Sequence, residues 1–339
     1  MANVENIVPG NADGDFFVDS RCIGCGNCRD LAPANFAKIA PYYAIVKQPD
    51  DSDELRQVFE ALVCCPVGAV GSKQKHDMKA IVDSYPQEFG GGVYYLGFNS
   101  PYSAGGKSYF VKNADGNWMI DSPKFSPRLT KWVEGQGGLR YIFLTHRDDV
   151  AEADKYATAF GAKRIIHREE LEAQKDSEIV LDGFDTVEPQ SGFLIIPTPG
   201  HTEGHCMLLY NSKYLFTGDV FTSMLRFGDK LEVWDPYYCW SSWEEQLRSI
   251  EKLLRYDFEW TLPSHGRFVH LPAAEMKQAL QACIERARDE KEPFVATPER
   301  INLFLRMIPA LRDAGQPEYA MRMQGRLEEM QRRLAASST

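Results

Sequence analysis

Apolar positions along this chain change period between Gly71 and Gly92. Before that stretch, Leu55, Val58, Ala61 and Leu62 recur at helical spacing and predict a helix with one buried stripe. Beyond it, short apolar runs alternate with helical stretches. Val93 to Phe98, Ser108 to Lys112 and Trp118 to Asp121 read as antiparallel strands, the last two joined by the turn Asn113-Ala114-Asp115-Gly116. Leu129 to Val133 predicts a helix, and Leu139 to Leu144 a buried strand ending at Thr145-His146. A further helix runs to Phe160 and stops at Gly161, and Arg164-Ile165-Ile166 opens the next strand. Phe193 to Ile196, Met207 to Tyr210 and Tyr214 to Phe216 continue the series. The pairs Ser241/Glu244 and Ser242/Glu245 are capping-box signals for a helix reaching about Tyr256.

The tail has another character. Thr297-Pro298 opens a helix with apolar positions Ile301, Phe304, Leu305, Ile308 and Leu311, interrupted at Pro309. Gly315 and Pro317 end it, and a last helix places Tyr319, Met323, Leu327, Met330 and Leu334 on one face. Such stripes mark core faces, so a helical hairpin packed on the chain's own body is expected. The expected division is residues 1–80, a linker over 81–92, a large domain over 93–292 and a helical extension over 293–339. The length of 339 residues fits two or three domains.

Composition narrows the partners. With 44% hydrophobic and 25% charged residues the chain can bury a large core, and its net charge of −10 disfavours nucleic acid or an anionic membrane. No apolar run approaches a membrane span, and the N-terminus does not read as a signal peptide, so a reducing, cytoplasmic setting is expected. The partners expected are a redox protein or a small-molecule substrate.

Four of the eight cysteines carry the first chemistry. Cys22, Cys25 and Cys28 form a C-x2-C-x2-C triplet, and Cys65 precedes Pro66. That spacing lets three thiolates converge on one iron–sulfur cube while the remote one closes the fourth corner. A zinc knot uses paired cysteines or histidines instead, and disulfides belong to oxidising compartments. Cys64 is adjacent, but the residue directly before proline is the usual ligand, so Cys64 reads as a small buried hydrophobe. Where a second cluster would need cysteines, the chain has Ala32, Leu55, Val58 and Ala61. The segment therefore resembles a bacterial-type ferredoxin domain holding one [4Fe–4S] cluster.

Polar groups gather at the ends of predicted strands downstream: Asp121, Thr145-His146-Arg147-Asp148-Asp149, Pro199-Gly200-His201-Thr202-Glu203-Gly204-His205, Thr217-Gly218-Asp219 and Pro263-Ser264-His265-Gly266. Rigid sheets present ligands from such loops, and imidazoles with carboxylates suit zinc, iron or manganese. Their order resembles the metallo-β-lactamase fold family over roughly Val93 to Arg288. The resemblance implies an αββα sandwich, giving an α+β chain overall: ferredoxin-like domain, sandwich and C-terminal helical hairpin. The family motif Thr-His-x-His-x-Asp-His here reads Thr145 to Ala151, with Asp148 for the second histidine and Val150-Ala151 for the Asp-His pair. Carried over, the resemblance gives His146, Asp148, His201 and Asp219 for one metal and leaves only His265 with Asp219 for a second. A helix beginning here would turn Asp149 away from Asp148 by about 100°. At most one Zn, Fe or Mn ion is then expected, or none.

Other residues have structural readings. His205 braces its loop, Asp121 does the same, His167 ends a strand, and His76 and His270 belong to no constellation. The aromatic run Trp234 to Trp243 either walls a pocket or packs over the sandwich. An intact cluster set beside an altered hydrolytic set makes electron transfer to or from the second domain the leading function. A mononuclear hydrolase of an ester, thioester or lactam, with a structural or regulatory cluster, is the alternative; a non-catalytic binding module is the third.

Overall fold

The computed structural model describes residues 2–39, 41–223, 230–233, 238–289, 301–302, 304–305, 308–309, 312 and 317–337. Two compact units result: Met1–Pro86 with Gly97–Gly105 and Val295–Thr339, and Gln87–Leu96 with Gly106–Phe294.

In the first unit, β1 (Phe16–Val18) pairs antiparallel with β4 (Val70–Ser72), and β2 (Phe36–Ile39) forms a hairpin with β3 (Tyr42–Ile45). Helix α1 (Asn27–Leu31) follows the cysteine triplet, and α2 (Ser52–Cys64) ends against Cys65. The Asp51 carboxylate caps α2 by accepting from the Asp53 and Glu54 N–H groups, both at 2.8 Å. The apolar stripe of α2 is why this half needs no second cluster: Val58 and Ala61 are buried with Ala32, and Leu55 and Leu62 pack against the same core. The expected linker is structured, holding the end of α3 (Lys79–Asp83) and all of β5 (Gln87–Gly90).

The C-terminal residues group with this unit. Phe304, Ile308, Ala320, Met323, Leu327 and Met330 are buried, whereas Leu305 is exposed. The last helix spans Pro317–Ser337. Thr297, Pro298, Leu311 and Gly315 lie outside the described residues.

The second unit is built on two sheets. The larger has seven strands in the order β11-β10-β9-β8-β7-β6-β5. These are β6 (Val93–Tyr95), β7 (Tyr109–Val111), β8 (Trp118–Ile120), β9 (Tyr141–Phe143), β10 (Lys163–His167) and β11 (Ile179–Leu181) beside β5. The strand expected to reach Phe98 ends at Tyr95, and Gly97–Gly105 leaves for the first unit. The second sheet has six strands in the order β12-β13-β14-β15-β18-β19. They are β12 (Val187–Gln190), β13 (Phe193–Pro197), β14 (Cys206–Tyr210), β15 (Tyr214–Gly218), β18 (Trp260–Pro263) and β19 (Val269–His270), while β16 (Phe221–Ser223) and β17 (Leu231–Val233) form a small ribbon.

The sheets pack face to face through aromatic pairs, Trp118 on Phe193 at 4.4 Å and Tyr109 on Phe216 at 5.2 Å between ring centroids. Each such pair is worth about 0.5–1.5 kcal/mol beyond its buried area. Helix α4 (Pro127–Gly135) covers the larger sheet through Trp132, which meets Tyr94 and Phe110 edge-on. Helix α5 (Ala153–Phe160) ends at Gly161 as its left-handed cap. On the other side, α6 (Trp243–Lys252) and α7 (Ala273–Asp289) lay Ile250, Met276, Leu280 and Ile284 over Ile196, Met207 and Leu215. The Ser242 hydroxyl accepts from the Glu245 N–H at 3.2 Å, completing the expected cap. The layers are αββα.

Candidate metal centre and cluster cradle

In the first unit, Cys22, Cys25, Cys28 and Cys65 line one cavity with Ile23, Gly26 and Tyr43. The backbone delivers N–H groups to sulfur: Tyr43 donates to Cys22 Sγ at 3.5 Å and Ala69 to Cys65 Sγ at 3.1 Å. Gly24 and Gly26 take positive φ, and a Cβ on Gly26 would stand 3.2 Å from the Tyr43 hydroxyl. Burial pushes the Cys28 thiol well up and the Cys22 thiol up, with the neighbouring cysteines adding to both. Only a strongly electropositive group at their centre makes four converging thiolates stable, so the donor set fits a cluster. Cys64 lies buried on α2 and does not line the cavity.

In the second unit the strand ends bring five residues together. His146 follows β9, His201 lies between β13 and β14, Asp219 follows β15 and His265 follows β18. The ligand atoms of His146, His201 and Asp219 lie within 4.8 Å of one another, as do those of Asp149, Asp219 and His265. Three imidazole Nε2 atoms surround Asp219 Oδ2, at 3.7 Å for His146 and 3.9 Å for His201 and His265. These separations exceed a hydrogen bond and suit donors sharing an ion at about 2.0–2.2 Å from each.

Asp149 supplies a carboxylate to the second group, and Asp148, the expected replacement for the second histidine, is in neither triad but is the strongest charge raising Asp219. The reason is local. Helix α5 begins at Ala153, and Arg147 and Asp148 form a turn, so the helical rotation assumed for Asp149 does not apply.

Electrostatics favour a cation here. His146 Nε2, both Asp149 oxygens and Asp219 Oδ1 are buried without a hydrogen-bond partner among the described residues. Burial pushes Asp149 and Asp219 well above the carboxylate range, and each is raised further by a nearby carboxylate. Burial, aided by the surrounding imidazoles, drives His146 well below its ordinary value. A bound ion would reverse both costs, so the residues fit zinc, iron or manganese.

Asp121 sits at φ +53° and braces the site. Its carboxylate accepts from the Thr145 N–H at 2.8 Å, the Thr145 hydroxyl at 3.0 Å and Ser264 at 3.4 Å. Burial outweighs these bonds and pushes it up to about 7. Thr145 Oγ1 also lies 3.0 Å from His146 Nδ1, leaving Nε2 to face Asp219. His205 Nδ1 pairs with Thr198 Oγ1 at 2.9 Å, and burial pushes His205 down to about 3. His167 Nε2 pairs with the Gly183 carbonyl oxygen at 2.9 Å. His76 pairs with Asp15 and His270 stacks on Trp260, apart from the candidate metal groups. Of the aromatic run, Trp234 to Tyr237 lie outside the described residues; the Trp240 N–H donates to the His201 carbonyl oxygen at 2.7 Å, bracing the ligand loop.

Gly218 explains why glycine precedes Asp219. Its φ is +51°, and a Cβ there would stand 2.3 Å from His205 Nε2. Gly218→Ala is expected to destabilise the protein by about 2 kcal/mol, seen as a lowered melting temperature and weaker metal retention. An unchanged melt would show that His205 yields freely. Sequence reasoning discounted Asp149, which stands inside an altered motif, and missed Glu170, which lies in an ordinary acidic stretch but whose carboxylate accepts from the Arg147 N–H at 3.0 Å and the Gly204 N–H at 2.7 Å.

A family model described as the 4Fe-4S single cluster domain of Ferredoxin I matches residues 18–72, and one described as the Metallo-beta-lactamase superfamily matches residues 104–265. A hydroxyacylglutathione hydrolase of Yersinia pestis (strain Pestoides F) is 31% identical over 198 residues, which is 56% of this chain and 77% of that protein. The uncharacterized protein YobT of Bacillus subtilis (strain 168) is 27% identical over 177 residues, 42% of this chain and 74% of that protein. Among solved structures, the DIM-1 metallo-beta-lactamase is 18% identical with a TM-score of 0.44, covering 59% of this chain and 96% of that one. The chain belongs to the metallo-beta-lactamase superfamily and carries a single-cluster [4Fe–4S] ferredoxin domain on its N-terminal side.

Proposed function

We propose that the sandwich domain is a metal-dependent hydrolase of an ester or thioester. The observation that carries this reading is the sharing of Asp219 between two groups of three buried donors. His146, His201 and Asp219 would hold one ion, and Asp149, Asp219 and His265 a second. When bound, such ions lower the pKa of coordinated water and polarise the scissile carbonyl. The chain's own part is to fix the donors: Asp121 and Thr145 orient His146, and the loops of His201 and His265 close around Asp219. The 31% identity to a hydroxyacylglutathione hydrolase supports an acyl–sulfur substrate.

The complete four-cysteine set favours a redox role for the cluster domain, accepting or delivering electrons with a partner protein, in a reducing compartment such as the cytoplasm. No described helix is long and apolar enough to cross a membrane.

Full-length protein purified without oxygen tests both readings. Turnover of a hydroxyacylglutathione thioester should appear, vanish on chelation and return with Zn²⁺, Fe²⁺ or Mn²⁺. No turnover of any ester or thioester by fully metal-loaded protein would end the hydrolase reading. Absence of a reducible cluster by EPR would end the redox one.

A further inference from the structure

A carboxylate is buried beside the cluster cradle. Asp19 is 0% exposed and precedes the first cluster cysteine, Cys22, in the loop that leaves β1. Among the described residues its one cationic partner is Arg21. We propose that Arg21 is a positioning residue of the cradle: it ties the Cys65 loop to the cysteine triplet and, by offsetting the Asp19 charge, sets the reduction potential of the cluster. The proposal rests on the cluster alone and not on the hydrolase reading of the sandwich.

The two ligand loops meet at Asp19. Its backbone N–H donates to the Ala69 carbonyl oxygen at 2.9 Å, and its own carbonyl oxygen accepts from the Cys22 N–H at 3.1 Å. Ala69 is also the residue whose N–H donates to Cys65 Sγ. Arg21 adds a second tie. Its Nε donates to Asp19 Oδ2 at 2.9 Å, Nη2 stands 2.9 Å from the same oxygen, and Nη2 donates to the Gly68 carbonyl oxygen at 2.6 Å. Gly68 takes φ +59°, and its N–H donates to the Cys65 carbonyl oxygen at 3.1 Å. The guanidinium therefore holds the turn that presents the fourth thiolate. Its planar fork grips a carboxylate and a carbonyl together, which a compact ammonium cannot do.

The Asp19 carboxylate has main-chain donors as well. The Asn3 N–H reaches Oδ2 at 2.8 Å and the Arg21 N–H reaches Oδ1 at 3.1 Å. Those bonds keep the carboxylate in place when the Arg21 side chain is removed, and its charge then acts on the cluster without a counterion. It already acts on one ligand: after burial and Cys65, Asp19 is among the groups that push the Cys22 thiol up. Adding an electron beside a fixed negative charge is disfavoured, and net charge is among the factors that set such potentials.

The test is an anaerobic redox titration of the full-length, cluster-loaded protein followed by EPR, with iron loss to a chelator timed separately. Arg21→Gln should lower the reduction equilibrium constant by about threefold or more, a shift of about 28 mV for one electron. Asp19→Asn should move the potential the other way, because the guanidinium is left unopposed. The double variant Asp19→Asn/Arg21→Gln should return to within about twofold of wild type. Arg21→Lys keeps the charge and loses the fork, so its potential should stay within about twofold while iron is released several-fold faster. Should Arg21→Gln fail to hold a cluster, Asp19→Asn and Arg21→Lys carry the test. An unchanged potential in Asp19→Asn or in cluster-bearing Arg21→Gln, or wild-type iron release in Arg21→Lys, would overturn the proposal. So would equal potential shifts in Arg21→Lys and Arg21→Gln, which would leave Arg21 a structural residue. Wild-type protein without a reducible cluster would end the redox reading together with this proposal, whereas unchanged variants of a cluster-bearing protein would end the proposal alone.

Discussion

Asp219→Asn is expected to strip metal from both donor groups together and to reduce any hydrolytic turnover by at least about a thousandfold, comparable to losing a group that stabilises developing charge in a transition state. The prediction follows from sharing. Asp219 is the one residue common to the two groups, and three imidazole nitrogens lie 3.7 to 3.9 Å from its Oδ2. An amide removes the negative charge and offers one oxygen where the carboxylate offers two. By contrast, His201→Ala and His265→Ala each touch one group and should each remove one ion. Metal analysis of the three variants is therefore graded: none, one and one. Equal metal content in Asp219→Asn and wild type would separate the two groups and end the shared-centre reading.

The reach of the sequence can be judged residue by residue. His146, His201, Asp219 and His265 were legible because each follows a strand and sits in a loop with its own signature, and the family resemblance made those loops a single ligand set. The part played by Asp149 was not. It depends on where α5 begins: a start at Ala153 instead of near Asp149 removes the helical rotation expected to turn Asp149 away from Asp148. Nothing in the local composition encodes that start: the Arg147 N–H in the turn is bound by Glu170, distant in sequence. The expectation of at most one ion came from the same place: with Asp149 discounted, the second group had two donors, and with it the group has three. Chain partition was equally hidden. Gly97–Gly105 falls inside the expected large domain, and the residues over 293–339 read as a separate extension, yet Gly97–Gly105 and Val295–Thr339 group with the cluster-bearing unit. Such assignments are decided by long-range packing, which a one-dimensional pattern of apolar residues does not carry.

Cys65→Ala is expected to abolish the EPR signal of the reduced cluster, whereas Cys64→Ala should keep it. The two residues are neighbours in sequence and opposite in environment. Cys64 is the last residue of α2, wholly buried and away from the cavity. Cys65 leaves the helix in extended backbone, which turns its sulfur into the cavity beside Cys22 and Cys28, where it accepts from the Ala69 N–H. Pro66 enforces that exit, since the residue before a proline is driven out of the helical region. Removing the Cys64 sulfur deletes a small apolar group and should cost about 1 kcal/mol of stability, typical of a modest core truncation. Removing Cys65 leaves three thiolates for four irons, and the fourth corner opens to solvent. Iron and sulfide content, measured on both variants after purification without oxygen, should fall only in Cys65→Ala. Retention of a full cluster there would mean that Cys64 can unwind from the end of α2 to take its place, and the ligand assignment would pass to the pair.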